Sequence, residues 1–317
     1  MAVYTPVSAE LLAAFLARYD VGELVSAKGI AEGVQNTNYL VDTTTGRFIL
    51  TLYEQRTESD ELPYFMDMLD HLAARGNPVP PAIKDRGGVA IQTLEGRRAC
   101  LIQFLSGVSV THPTAAQAFS TGQAMGRMHA ALADFTPVRA NSMGIATWAP
   151  QLASIGTGFD TIAPGLQAEA TVMLETVLRD WPAHLPTAPI HADLFPDNVL
   201  TRGDQVTGLI DFYFACTDIR AFDVAILHTA WSFDADGRTL DHAVGRALIE
   251  GYDATFGLSA EERAQLGTLA KGACLRFFLS RAWDWLNTPA DALVTRKDPL
   301  AYLRRYRTYA ALDDLFA

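Results

Sequence analysis

Four side chains in this sequence are of the right types and spacing to act together. His191, Asp193 and Asn198 follow the pattern H-x-D-x-x-x-x-N, and Asp211, followed by Phe212, lies 18 residues after Asp193. Transfer of a phosphoryl group to a hydroxyl asks little covalent work of a protein. It needs a base for the hydroxyl proton, oxygen ligands for magnesium, and groups that hold the triphosphate. Asp193 has the chemistry to take the proton. Asn198 and Asp211 carry the oxygen donors that hard Mg2+ prefers. A lone H-x-D is common, and Asp or Asn in a loop is usually turn chemistry. Two spaced elements, each beside a strand-like apolar run, weigh against that plainer explanation.

These residues must be held by strand ends. Residues 189–214 read as strand, loop, strand, turn, strand, with helical periodicity on both sides over 114–132, 165–181, 240–256, 259–286 and 299–315. Upstream the pattern is different. Segments 38–42, 47–53, 89–94 and 97–104 are short and β-rich, with turns expected at Thr45-Gly46 and Glu95-Gly96. Ser8 is a cap for a first helix carrying Leu11, Leu12, Phe15 and Leu16. A second helix starts at Ser59, presents Leu62, Phe65, Met66, Leu69 and Leu72, and ends at Gly76. The expectation is an α+β chain of two lobes: residues 1–106, a small antiparallel sheet with one helix among its strands, and residues 107–317, larger and mainly helical. Ser106-Gly107 reads as the hinge, which predicts a ligand cleft between lobes.

Composition narrows the partners. The chain has 317 residues, 25 Lys plus Arg against 36 Asp plus Glu, and a net charge of −11, so it has no global attraction for nucleic acid or anionic membrane. Cys100, Cys216 and Cys274 are far apart and odd in number, which predicts inert core thiols rather than disulfides or a zinc site. Residues 1–14 lack a basic n-region and are interrupted by Glu10, so no signal peptide is expected. No uncharged apolar run reaches the ~18 residues of a membrane span. The location expected is the cytoplasm. Only four cations are lysines: Lys28, Lys84, Lys271 and Lys297.

The segments HADLFPDNVL (191–200), LIDFYFACTD (209–218), GIAEGVQNTNYLV (29–41), FILTLYE (48–54), LRFFLSRAWDWL (275–286) and Met125-Gly126-Arg127-Met128-His129 together resemble the aminoglycoside phosphotransferase-like kinases, which share the two-lobed protein-kinase-like fold. Within them the pattern is most similar to the homoserine kinase subgroup. The resemblance implies ATP and Mg2+ as cofactors, Asp193 as base, Asn198 and Asp211 as metal ligands, and His191 and Asp223 as supports of the catalytic loop. It places the nucleotide along the loop from Gly29 through Gly33 and Asn36 to Asn38, at Thr51, and at Gln103 and Leu105 where the hinge offers backbone groups to adenine. A hairpin turn and a core strand end explain those segments as well. The acceptor implied is L-homoserine, whose phosphorylation is a step toward threonine. An arginine fork and a carboxylate on the 275–286 helix, Arg276 and Asp284, would suit its α-carboxylate and α-ammonium. Tyr213 and Trp231 are further candidates at that pocket. A helix with incidental ion pairs and core aromatics is the alternative.

Two departures stand out. Kinases place a lysine on the third strand, and here Thr51 occupies that position. Lys28 or Arg56 is the expected substitute, and the role of Glu61 on the following helix is left open. Asp-Phe is followed by Tyr213, not Gly, and no long activation segment exists, which predicts an enzyme without a phosphorylation switch. Two other readings stay open at this point. One is the same fold acting on choline, ethanolamine, a sugar or an aminoglycoside; the other is a nucleotide-binding protein without turnover. A monomer or homodimer is expected.

Overall fold

A computed structural model describes residues 5–30, 36–54, 60–288, 296–312 and 316. Gly33, Arg56 and Ser59 lie outside them. The chain separates into two compact units, Met1–Ser106 and Gly107–Ala317.

Unit 1 is built on a six-stranded antiparallel sheet. Its members are β1 (Leu24–Gly29), β2 (Thr37–Thr43), β3 (Arg47–Tyr53), β4 (Ala82–Ile83), β5 (Gln92–Leu94) and β6 (Arg97–Gln103). The order is β1-β2-β3-β6-β4, with β5 also on β6. The strict alternation of burial along β2 places Tyr39 and Val41 on one face with Leu50, Leu52, Ala99 and Leu101. That face is covered by α1 (Ala9–Leu16) through Leu12, Phe15 and Leu16. Ser8 caps α1 through the Leu11 amide, while Leu11 itself, expected on the apolar face, is exposed. The Glu95-Gly96 turn has both residues at positive φ, 51° and 71°, as a two-residue hairpin requires. The helix α2 (Leu62–Ala74) interrupts the strands and stops before Gly76 at φ 75°.

Unit 2 is helical: α3 (Ala115–Ala131), α4 (Ile145–Ile155), α5 (Phe159–Ile162), α6 (Leu166–Asp180), α7 (Arg220–Trp231), α8 (His242–Asp253), α9 (Ala260–Asn287) and α10 (Leu300–Ala311). α4 escaped the pattern reading because it carries Pro150 inside it and starts at Gly144 without a side-chain cap. Capping boxes start α3 at Thr114 with Gln117 and α9 at Ser259 with Glu262. α7 is buried all round, with only its first residue partly open. Four strands lie among the helices, one more than expected: β8 (Thr187–Ile190), β9 (Val199–Arg202), β10 (Gln205–Leu209) and β11 (Cys216–Ile219). β9 pairs with β10 and with β7 (Val108–Ser109), whereas β8 pairs with β11.

The α3–α8 crossing sets where the site's supports lie. A Cβ at Gly122 would collide with the Leu248 carbonyl of α8, and one at Gly251 would collide with the Phe119 carbonyl of α3. Only glycine lets these backbones come so close. Gly267 of α9, by contrast, faces open space. Gly122→Ala should therefore destabilise the fold by about 1–3 kcal/mol through overpacking. Gly267→Ala should stabilise it by about 0.5–1 kcal/mol through helix propensity. Urea unfolding of the two variants checks the opposite signs.

Candidate active site

The motif residues sit at four strand ends in unit 2. β8 stops at Ile190 and β9 begins at Val199, so His191 to Asn198 form the connection between them. β10 stops at Leu209 and β11 starts at Cys216, which puts Asp211 in the next connection. The registers Leu209↔Val199 and Cys216↔Ile190 align these ends. The Ile210 amide then donates to the Asn198 carbonyl at 3.0 Å, tying the two connections together.

The first connection turns on the Asp223 carboxylate, fully buried in α7. It accepts from the His191 amide (2.9 Å), the Ala192 amide (2.8 Å) and His129 Nε2 (3.0 Å). His129 Nδ1 in turn shares a hydrogen bond with the Tyr252 hydroxyl of α8 at 2.9 Å. Burial alone would raise the pKa of Asp223; the hydrogen bond and charge of His129 outweigh it, so the group is held below its ordinary value. The two amides are presented by a backbone kink, with Ala192 at φ 64°. A non-glycine residue in the left-handed region is strained, and such strain persists only where neighbours over-determine it.

His191 orders the loop from the other side. Its Nδ1 accepts from the Asp193 amide at 3.2 Å, and Nε2–H donates to the Ile210 carbonyl at 3.0 Å. Desolvation holds its pKa below the ordinary value. Both ring nitrogens are engaged by backbone, so the ring stays neutral and does not relay protons. Phe212 lies against it, with ring centroids 4.4 Å apart. Trp231, a pocket candidate from the sequence, is buried and donates to the Leu194 carbonyl at 3.0 Å.

Asp193 retains 17% of its side-chain surface open, enough for a reacting group to reach it. Desolvation pushes its carboxyl up to about 8 against the pull of Arg276, and the negative charge of Asp211 adds to the rise. Asn198 spends its side-chain N–H on the Asp193 carbonyl at 2.8 Å, which leaves Oδ1 as a ligand-type oxygen. Asp211 stands at φ 65°, a conformation aspartate tolerates. Desolvation and the charge of Asp197 push it up to about 6, and its exposed edge lets water moderate that rise.

The two C-terminal candidates part company. Arg276 is not a free fork: it is 2% exposed, its Nη1 donates to the Ala192 carbonyl, and Nη2 lies 3.9 Å from Asp193 Oδ1. Asp284 is exposed near the end of α9. Tyr213 is partly buried, and its amide donates to Asp211.

In unit 1, Gly29 ends β1 opposite Tyr39. Asn36 Oδ1 accepts from the Glu54 amide at 3.3 Å, and the Glu54 carboxylate takes the Thr37 hydroxyl (2.8 Å) and Arg97 Nε (3.1 Å). Thr51 is buried and donates to Asn38 Oδ1 at 2.7 Å, so a neutral, satisfied pair stands at the expected lysine position. Lys28 is opposite Leu40 and Leu40 opposite Ile49, which puts this exposed lysine on the same face as Asn38 and Thr51. Glu61 precedes α2 without capping it. Gln103 closes β6 with its amide on the Pro81 carbonyl, and Leu105 follows outside any regular element.

A model of the phosphotransferase enzyme family matches residues 26–258. The chain belongs to that family. The homoserine kinase of Gluconobacter oxydans is 50% identical over 311 residues, covering 98% of each chain. That of Zymomonas mobilis subsp. mobilis is 50% identical over 322 residues, covering 99% of each. Among solved structures, a spectinomycin phosphotransferase in complex with ADP and spectinomycin has a TM-score of 0.70 at 13% identity, over 98% of this chain and 97% of that one. A microcompartment-associated aminopropanol kinase has a TM-score of 0.66 at 20% identity, over 97% of each. The structures speak for the fold, which is α+β and protein-kinase-like.

The donor set of this phosphotransferase fits a hard cation. Asn198 Oδ1 and the Asp211 carboxylate are oxygen donors, and the negative charges of Asp211 and Asp197 help raise Asp193 and that of Asp197 helps raise Asp211. No group of three or more His, Cys, Asp or Glu that could enclose a metal exists among the described residues, as expected where phosphate and water complete the shell. No described helix is long and apolar enough to cross a membrane. The sequence reading missed Tyr252, whose contact with His129 joins positions 123 apart. Helical periodicity marks it only as an apolar-face residue.

Asp223→Ala strands two amides and an imidazole. It should cost about 3–5 kcal/mol, the range for breaking a buried charged network. Asp223→Asn keeps the volume and should cost about 1–3 kcal/mol. Chemical denaturation checks the ranking.

Proposed function

We propose that the chain is an ATP-dependent homoserine kinase, producing O-phospho-L-homoserine and ADP, a step toward threonine. The observation that carries this reading is identity at about half of all positions with homoserine kinases along essentially the full length of both chains. Amino-alcohol and aminoglycoside acceptors occur among relatives of the fold at 20% identity or less, a level that informs on fold and not on substrate. Turnover is expected, because the His191, Asp193, Asn198 and Asp211 set is complete and ordered.

The residues divide the work as follows. Asp193 accepts the proton of the homoserine hydroxyl as its oxygen forms a bond to the γ-phosphorus. The electron pair of the breaking P–O bond leaves with ADP, and the proton passes from Asp193 to solvent. Arg276 positions the loop through the Ala192 carbonyl and offsets part of the burial that raises Asp193. Asn198 and Asp211 would hold Mg2+, which supplies charge neutralisation on the phosphate oxygens. With Thr51 neutral and paired to Asn38, the third strand adds no positive charge to that neutralisation. The fold of a small-molecule enzyme, monomeric or homodimeric and cytoplasmic, fits this metabolic role.

An ATP-consumption assay over L-homoserine, choline, ethanolamine and an aminoglycoside tests the acceptor. Homoserine should be the preferred substrate, and Asp193→Asn should lower kcat about 10²- to 10⁴-fold. Near-normal kcat in that variant would remove Asp193 from the base role. The pH profile gives a second check. A base must be ionised, so kcat falls as pH drops through its pKa. The midpoint should lie above the ordinary 3.8 of an aspartate and move lower as magnesium is raised. A profile flat down to pH about 5 would contradict the raised carboxyl.

A further inference from the structure

Three arginines of unit 2, Arg276, Arg281 and Arg305, gather around the aromatic rings of Phe277 and Tyr302. The Arg281 and Arg305 guanidinium groups lie over the Tyr302 ring at 4.5 and 4.4 Å. Arg276 stacks on Phe277 at 4.5 Å, and Phe277 lies 5.0 Å from the Tyr302 ring. The donors of these arginines go to backbone oxygens: Arg276 to Ala192, Arg305 to Thr229 and Asp234, Arg281 to Asp298. Among the described residues the carboxylate in ion-pair range of them is Asp193, 3.9 Å from Arg276. The Asp298 carboxylate is taken by Arg304 at 3.1 Å and the Leu300 amide at 2.8 Å.

Burying cations against carbonyls and rings is costly, and here it leaves polar atoms stranded. The Nε atoms of Arg276 and Arg305 are buried without a partner, and so is the Tyr302 hydroxyl, on a side chain with no exposed surface. An unpartnered buried O–H among guanidinium groups is an unused hydrogen-bond donor. Of the three arginines, Arg281 is the available one. It is only partly buried, and its one hydrogen bond among the described residues is long, at 3.4 Å. Asp193 lies near enough for its charge to act on Arg281.

We propose that the Arg281 guanidinium, assisted by the Tyr302 hydroxyl, binds the α-carboxylate of the acceptor and so selects a hydroxy amino acid over an amino alcohol. This rests on homoserine as the acceptor. Three carbons separate its carboxylate carbon from the reacting hydroxyl oxygen, so the group that binds the carboxylate must act at short range from Asp193, as Arg281 does. A planar guanidinium suits a carboxylate better than an ammonium does. Arg276, the fork expected from sequence, is buried against the loop, with Nη1 on the Ala192 carbonyl and Nη2 near Asp193.

The test compares L-homoserine with 3-aminopropan-1-ol, the same chain without its carboxylate. Arg281→Met should raise the KM for homoserine about 10- to 100-fold, the span for hydrogen bonds to a charged group. It should leave the KM for ATP and the kcat/KM for aminopropanol within about twofold, since neither reports the lost contact. Arg281→Lys should recover part of the loss. Tyr302→Phe should raise the homoserine KM about 3- to 10-fold in the same selective way. An unchanged homoserine KM in Arg281→Met overturns the assignment, as does an equal loss for both acceptors. Failure of the acceptor reading looks different: wild-type protein then consumes ATP with another acceptor and none with homoserine, and the assignment falls with it.

Discussion

One buried carboxylate organises the site. Asp223 accepts from two consecutive backbone amides and from His129, and this triple engagement makes the left-handed turn at Ala192 tenable. The kink aims Asp193 while turning the Ala192 carbonyl toward Arg276. Asp223 is in turn held by elements far away in sequence. His129 reaches it because Tyr252 fixes the ring, and Tyr252 lies there because glycines let α3 and α8 cross backbone to backbone. A methyl group at that crossing is thus linked mechanically to the orientation of Asp193.

Charge is distributed against the average of the chain. The protein is acidic overall, at −11, yet unit 2 buries two arginines, Arg276 and Arg305, beside two carboxylates, Asp223 and Glu262. The charges of Asp211 and Asp197 add to the raised pKa of Asp193, and the Arg281 and Arg305 guanidinium groups over Tyr302 hydrogen-bond to backbone carbonyls.

Much of this was legible in residues. The alternation of Tyr39, Leu40 and Val41 and the Glu95-Gly96 turn describe the sheet, and the H-x-D-x-x-x-x-N spacing marks the loop, because period and turn chemistry act over a few residues. α4 was hidden by Pro150, and β11 by its pairing with a strand 26 or more residues upstream. Arg276 and Arg281 illustrate the limit. Both lie on one strongly helical segment and carry the same side chain, yet Arg276 is enclosed by Ala192 and Asp193 while Arg281 keeps a nearly free fork. Helical spacing states which residues share a face, not what comes to meet that face.

The sequence by itself determined the α+β class, the H-x-D-x-x-x-x-N motif, the family and the absence of the third-strand lysine, since each resides in residue identity and short-range spacing. Tertiary structure alone decided which charges are satisfied. Thr51 turns out neutral and paired with Asn38, His191 is locked between Asp193 and Ile210, and Tyr302 is left with an unused hydroxyl among arginines. Hydrogen-bond satisfaction and desolvation depend on atoms brought together from distant parts of the chain, and no local pattern encodes them.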